Sequence, residues 1–136
     1  MYQAFASALL KELLIQLYRI AYGSKPQIPD AVISVIRYIN ENYPHTLSNS
    51  VLSEISGYNE RHLNRLFVSY TGSSLHKYII NKRMEEASYL LIYSDLPISS
   101  VSEQVGFANL SNFSVSFKEH TGMTPSNYRK KLRNIY

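Results

Sequence analysis

The stretch LSEISGYNERHLNRLFVSYTG, residues 52–72, decides the fold, because the chain carries it a second time as VSEQVGFANLSNFSVSFKEHTG, residues 101–122. Ser53-Glu54 matches Ser102-Glu103, and Gly57-Tyr58 matches Gly106-Phe107. After one inserted residue, Leu63 pairs with Phe113, Phe67 with Phe117, and Thr71-Gly72 with Thr121-Gly122. Tyr78 and Tyr128 continue the match. Each copy reads as a short helix, a turn bearing glycine and a longer helix, which is the helix-turn-helix plan. One such pair arises by chance in many helical domains. Two copies joined by one long helix are far more specific, and the competing reading is a plain bundle with a duplicated hairpin.

Around the repeat, apolar residues recur at helical spacing and strict alternation over a strand length is absent, so the fold class is all-α. Asp30 is a candidate cap for a helix with Val32, Val35, Ile36, Ile39 and Tyr43 inward, stopped by Pro44. A short helix follows Ser48 with Val51, Leu52 and Ile55 inward. Asn59 caps the next, whose inner face is Leu63, Leu66, Phe67 and Tyr70 and whose end is Gly72. Ser74 opens a long helix carrying Leu75, Tyr78, Ile79, Ala87, Leu90 and Leu91, broken at Asp95-Leu96-Pro97. Ile98, Val101 and Val105 mark a further short helix, with a helix start near Ser99. Asn109 caps a helix with Phe113 and Phe117 inward, ended by Gly122, and Thr124 with Pro125 begins the last.

These elements give a seven-helix double helix-turn-helix domain over residues 25–136. Its first unit spans about 48–71, its linker helix about 74–93 and its second unit about 98–121. Residues 1–24 supply a preceding amphipathic helix and linker. In that helix Leu10, Leu13, Leu14, Leu17 and Ala21 form a stripe, and Leu9, Ile15 and Ile20 add apolar surface beside it, so it is expected to pack on something. Lys11, Glu12 and Arg19 interrupt the run, leaving no stretch of about 18 uncharged apolar residues for a membrane span. No basic segment precedes the run and no small-residue cleavage site follows it. Gly23, Ser24, Lys25, Pro26 and Pro29 mark the break.

The 136 residues contain no cysteine, which excludes disulfides and thiolate metal sites and suits a reducing compartment such as the cytoplasm. The formal charge of +4 is modest, but it hides strong segregation. Between residues 61 and 83 every charge is positive: Arg61, Arg65, Lys77, Lys82 and Arg83. Between residues 84 and 117 every charge is negative: Glu85, Glu86, Asp95 and Glu103. From Lys118 onward Arg129, Lys130, Lys131 and Arg133 face Glu119 alone. Positive charge thus gathers on and just after the second helix of each unit, where a nucleic-acid backbone would lie. An enzyme reading fails. His45, His62, His76 and His120 are scattered, the carboxylates do not cluster, and no glycine loop suits a phosphate, so neither metal nor cofactor is expected.

Residues from about 30 to 134 resemble the DNA-binding domain of the AraC/XylS family of bacterial transcription activators. The resemblance rests on VGFANLSNFSVSFKEHTGMTPSNYRKKLR, on SGYNERHLNRLFVSYTG and on the linker pattern YIINKRMEEASYLL. It implies two recognition helices entering successive major-groove segments on one face of duplex DNA, transcription activation and a contact with RNA polymerase. It also implies a homodimer formed through residues 1–22 or through a separate sensory domain ahead of them.

On the first recognition helix Arg61, Asn64, Arg65 and Val68 share one outer face. Arg grips guanine O6 and N7 bidentately and Asn does the same for adenine, and the family resemblance implies base readers at Arg61, Asn64 and Arg65. The second helix offers Ser111, Asn112, Ser114 and Val115, with Val115 standing where the family often has a long polar side chain. There a thymine methyl is the candidate partner of Val115. Phosphate candidates are Ser69, Thr71, Lys77, Lys82, Lys118, Thr121, Arg129, Lys130 and Arg133, together with helix N-termini near Ser48 and Ser99. The alternative is a helical protein- or RNA-interaction module using the same basic face.

Overall fold

In the computed structural model, which describes residues 2–23 and 27–135, local capping chemistry sets most helix boundaries. The described residues form eight helices and no strand: α1 (Tyr2–Tyr22), α2 (Asp30–Asn42), α3 (Asn49–Ser56), α4 (Glu60–Thr71), α5 (Leu75–Tyr93), α6 (Ile98–Gln104), α7 (Leu110–Thr121) and α8 (Pro125–Arg133). The side chains of Ser48, Asn59, Ser74, Asn109 and Thr124 each accept a hydrogen bond from a first-turn amide, satisfying donors that a helix start leaves open. Gly72 and Gly122 close α4 and α7 in the left-handed region at φ +76° and +81°. One expected cap differs: Pro29 occupies the cap position of α2, so Asp30 is already helical and makes no side-chain cap. Pro97 holds that position for α6, which begins at Ile98, one residue before Ser99. A proline fixed near φ −65° sets the entry angle at both starts.

Two cores form, one per unit. Val32, Val35, Ile39, Leu52, Leu63, Phe67, Leu75 and Ile79 make the first. Met84, Ala87, Leu91, Val101, Val105, Phe113 and Phe117 make the second. Helix α5 contributes its N-terminal half to the first and its C-terminal half to the second. Phe67 meets Tyr78 edge-on at 5.1 Å, and Phe117 meets Tyr128 in the same way at 5.1 Å, so the repeat extends to its aromatic packing. Ile55 and Tyr70, expected inward, lie at the rim of the first core and are exposed.

The units are locked together at the middle of α5. Arg83 donates from Nε to the Tyr43 carbonyl (2.8 Å) and from Nη2 to the His45 carbonyl (2.9 Å) at the end of α2. Its guanidinium also lies over the Phe107 ring of the second unit, 5.8 Å from the centroid. Partial burial depresses the Arg83 pKa, as expected of a half-buried cation held by carbonyls. Gly106 packs so closely here that a Cβ would stand 2.6 Å from the Pro44 carbonyl oxygen.

Helix α1 does not share this packing. Leu10, Leu13, Leu14 and Leu17 are each more than half exposed, so the expected partner for its apolar stripe is not found within the described chain. The proposed break falls partly on Ser24, Lys25 and Pro26, which lie outside the described residues.

Candidate nucleic-acid interface

Helices α4 and α7 are equal in length and keep one register, offset by 50 positions. Leu63 and Phe67 are buried in one, Phe113 and Phe117 in the other, which fixes the outer faces as equivalent. Arg61 therefore corresponds to Ser111, Asn64 to Ser114, Arg65 to Val115 and Val68 to Lys118. Arg61, Arg65, Ser111, Asn112, Val115 and Lys118 are exposed, and Ser114 is half-buried. Among the described residues Arg61 and Arg65 form no ion pair, so their guanidiniums remain available to a ligand.

Asn64 is held differently from the sequence expectation. Its Oδ1 accepts the Leu75 amide at 3.1 Å, tying α4 to the start of α5. The bidentate grip on adenine needs both amide atoms, and here Oδ1 already gives one of its two lone pairs to the Leu75 amide, leaving Nδ2 as the free donor. Arg61 and Asn64 line an open hollow with Asn49, Ser74 and His76. His76, exposed on the first turn of α5, was not singled out from the sequence, because only the fold brings α5 beside α4.

Several phosphate candidates carry internal tasks instead. The Thr71 hydroxyl donates to the Phe67 carbonyl (2.7 Å) and accepts the Ser73 amide (3.2 Å). Thr121 repeats this with the Phe117 carbonyl (2.8 Å) and the Met123 amide (3.3 Å). Lys82 pairs with Glu86 at 2.8 Å, and that hydrogen bond raises its pKa. Arg129 donates to the Leu91 carbonyl at 3.0 Å. Arg133 donates to the carbonyls of Ile92 (3.2 Å) and Ser94 and pairs with Asp95 at 3.0 Å. The two arginines thus cap the C-terminus of α5, where open carbonyls and the negative dipole end favour cations. Burial depresses the Arg129 pKa, and the neighbouring Arg133 charge adds to this. Ser69, Lys77, Lys118 and Lys130 remain exposed, each beside or beyond a second helix.

A family model described as a helix-turn-helix domain matches residues 52–131. A solved AraC-type DNA-binding-domain regulator from Chromobacterium violaceum is similar, with TM-score 0.70 and 25% identity over 75% of this chain and 91% of that one. The chain belongs to the AraC-type helix-turn-helix family of DNA-binding transcription regulators. The DNA-binding domain of the global transcriptional factor AdpA, solved in complex with a target DNA, gives TM-score 0.73 and 25% identity, covering 76% of this chain and 94% of that one. The multiple antibiotic resistance protein MarA of Salmonella typhimurium is 35% identical over 71% of this chain and 76% of its own length. An uncharacterised HTH-type transcriptional regulator of Staphylococcus aureus is 36% identical over 74% of this chain. The match covers only 13% of the Staphylococcus protein, so the AraC-type module here corresponds to a small part of that regulator. Among the described residues of this AraC-type chain no helix is long and apolar enough to cross a membrane.

Proposed function

We propose that the protein regulates transcription by placing α4 and α7 in successive major-groove segments on one face of duplex DNA. The observation that carries this is the shared register of the two helices, which gives the unit on each side of α5 an equivalent outer face. Arg61 and Arg65 read guanine edges, with Asn64 adding a donor, and Ser111, Asn112, Ser114 and Val115 form the second reading face. Ser69, Lys77, Lys118 and Lys130 grip phosphates, and the start of α3 at Ser48 adds amide donors. Lys82, Thr71, Thr121, Arg129 and Arg133 serve the fold, and we leave them out of the contact set.

Activation through RNA polymerase is the sense of regulation we favour, resting on the family resemblance. Self-association runs either through α1, whose leucine stripe is open, or through a separate sensory domain. Residues 1–24 then form a unit separate from the DNA-reading module.

Equilibrium binding across a salt series tests the duplex reading. Three lysine contacts with phosphate, from Lys77, Lys118 and Lys130, imply a slope of log affinity on log salt near −2.7, at about −0.9 per neutralised phosphate. Tighter binding to single-stranded RNA than to any duplex favours the RNA-interaction alternative, and a flat salt response favours the protein-interaction one.

A further inference from the structure

The two reading faces are equivalent in position and opposite in chemistry. Where α4 presents Arg61 and Arg65, α7 presents Ser111 and Val115. Val115 is 59% exposed and Leu110, at the N-terminal tip of α7, is 45% exposed. Leu110 stands where recognition helices bring their first residues to base edges. Neither aliphatic side chain can donate or accept a hydrogen bond. Ser111 and Ser114 both donate and accept, so they suit either kind of base edge.

We infer that the second unit reads the C5 methyl groups of pyrimidines in the major groove. This rests on the duplex-binding function proposed above and gives its second face a ligand chemistry. Thymine offers O4 and a C5 methyl there, and cytosine offers its N4 amino group and no methyl. At a pyrimidine met by Leu110 or Val115 rather than by Asn112, these side chains bury the methyl and have no group that separates O4 from N4. Such a contact therefore distinguishes methylated from unmethylated pyrimidine rather than thymine from cytosine. A 5-methylcytosine in place of thymine puts the same methyl on the same ring carbon, so binding responds to cytosine methylation in that half of the site.

The experiment scans a duplex obtained by selection from a random library with the full chain. Each thymine is replaced singly by uracil, by cytosine and by 5-methylcytosine, with the complementary base adjusted. Uracil, which lacks only the methyl, lowers affinity about fourfold at each contacted position, the equivalent of about 0.8 kcal/mol for one buried methyl group. Cytosine lowers it at least as much, and 5-methylcytosine returns it to within about twofold of thymine. In Val115→Ala and Leu110→Ala chains the uracil effect at the corresponding positions disappears. If the parent duplex binds but uracil changes nothing at any position, the methyl inference is overturned and duplex binding stands. If uracil weakens binding while 5-methylcytosine fails to restore it, the equivalence of the two pyrimidines is overturned. If no duplex is selected, the inference falls together with the function beneath it.

Discussion

Alanine at Gly106 separates two costs that alanine at Gly57 does not. Both glycines have positive φ, +97° and +74°. A Cβ there costs about 1–2 kcal/mol for the left-handed backbone alone. At Gly57 nothing lies within 4 Å of the new methyl. At Gly106 it would meet the Pro44 carbonyl oxygen at 2.6 Å, its carbon at 3.0 Å and Arg83 Cζ at 3.1 Å. That peptide cannot swing aside easily, because Arg83 holds the carbonyls on either side of it, at Tyr43 and His45. Overpacking against such a wall adds about 1–3 kcal/mol. Gly106→Ala is therefore expected to lose about 2–5 kcal/mol and Gly57→Ala about 1–2 kcal/mol, the sum and the first term of those two costs. Urea denaturation followed by far-ultraviolet circular dichroism reads both, compared at a common slope. Equal losses in the two variants would mean that the close approach of the second unit to α2 does not constrain the fold as described.

Three further outcomes are expected. Arg83→Met removes two charge-assisted bonds to carbonyls and is expected to cost about 2–4 kcal/mol in the same denaturation assay; a loss under about 0.5 kcal/mol, the usual range for surface substitutions, contradicts its role as the lock between units. Deleting residues 1–22 leaves the urea midpoint of the remaining domain and its monomeric duplex binding unchanged, since the α1 stripe is open, while any self-association seen by sedimentation is lost; an unfolded product places α1 in the core. Arg65→Ala relaxes base preference in one half of the selected site, by about 1–3 kcal/mol of discrimination, whereas Asn112→Ala lowers affinity without changing the selected sequence; the reverse ranking, read by repeating the selection with each variant, makes α7 the main reader.

The capping residues were legible because they act within three residues of themselves: Ser48, Asn59, Ser74, Asn109 and Thr124 all cap as the sequence suggests. The repeat gave the two cores for the same reason, since period and aromatic spacing are local signals. Asp30 misled because an acidic residue suits both the cap and the first turn, and Pro29 took the cap. Periodicity also overreached at Tyr70, since a short helix hairpin shelters only a narrow stripe of α4. The arginines were the least legible. Arg83, Arg129 and Arg133 bond to carbonyls 35 to 41 residues away, and charge in a sequence does not tell a phosphate contact from a helix cap. Leu110 and His76 are not among the contacts expected from sequence, because their weight comes from position at a helix tip and beside another helix.

Hydroxyl-radical footprinting of the full chain on a duplex chosen by library selection bears most directly on two-helix reading. Two protected patches on one face of the duplex, centred about 34 Å apart, are expected if α4 and α7 dock in successive major-groove segments. A single patch, or protection that wraps both faces, would contradict docking by both helices.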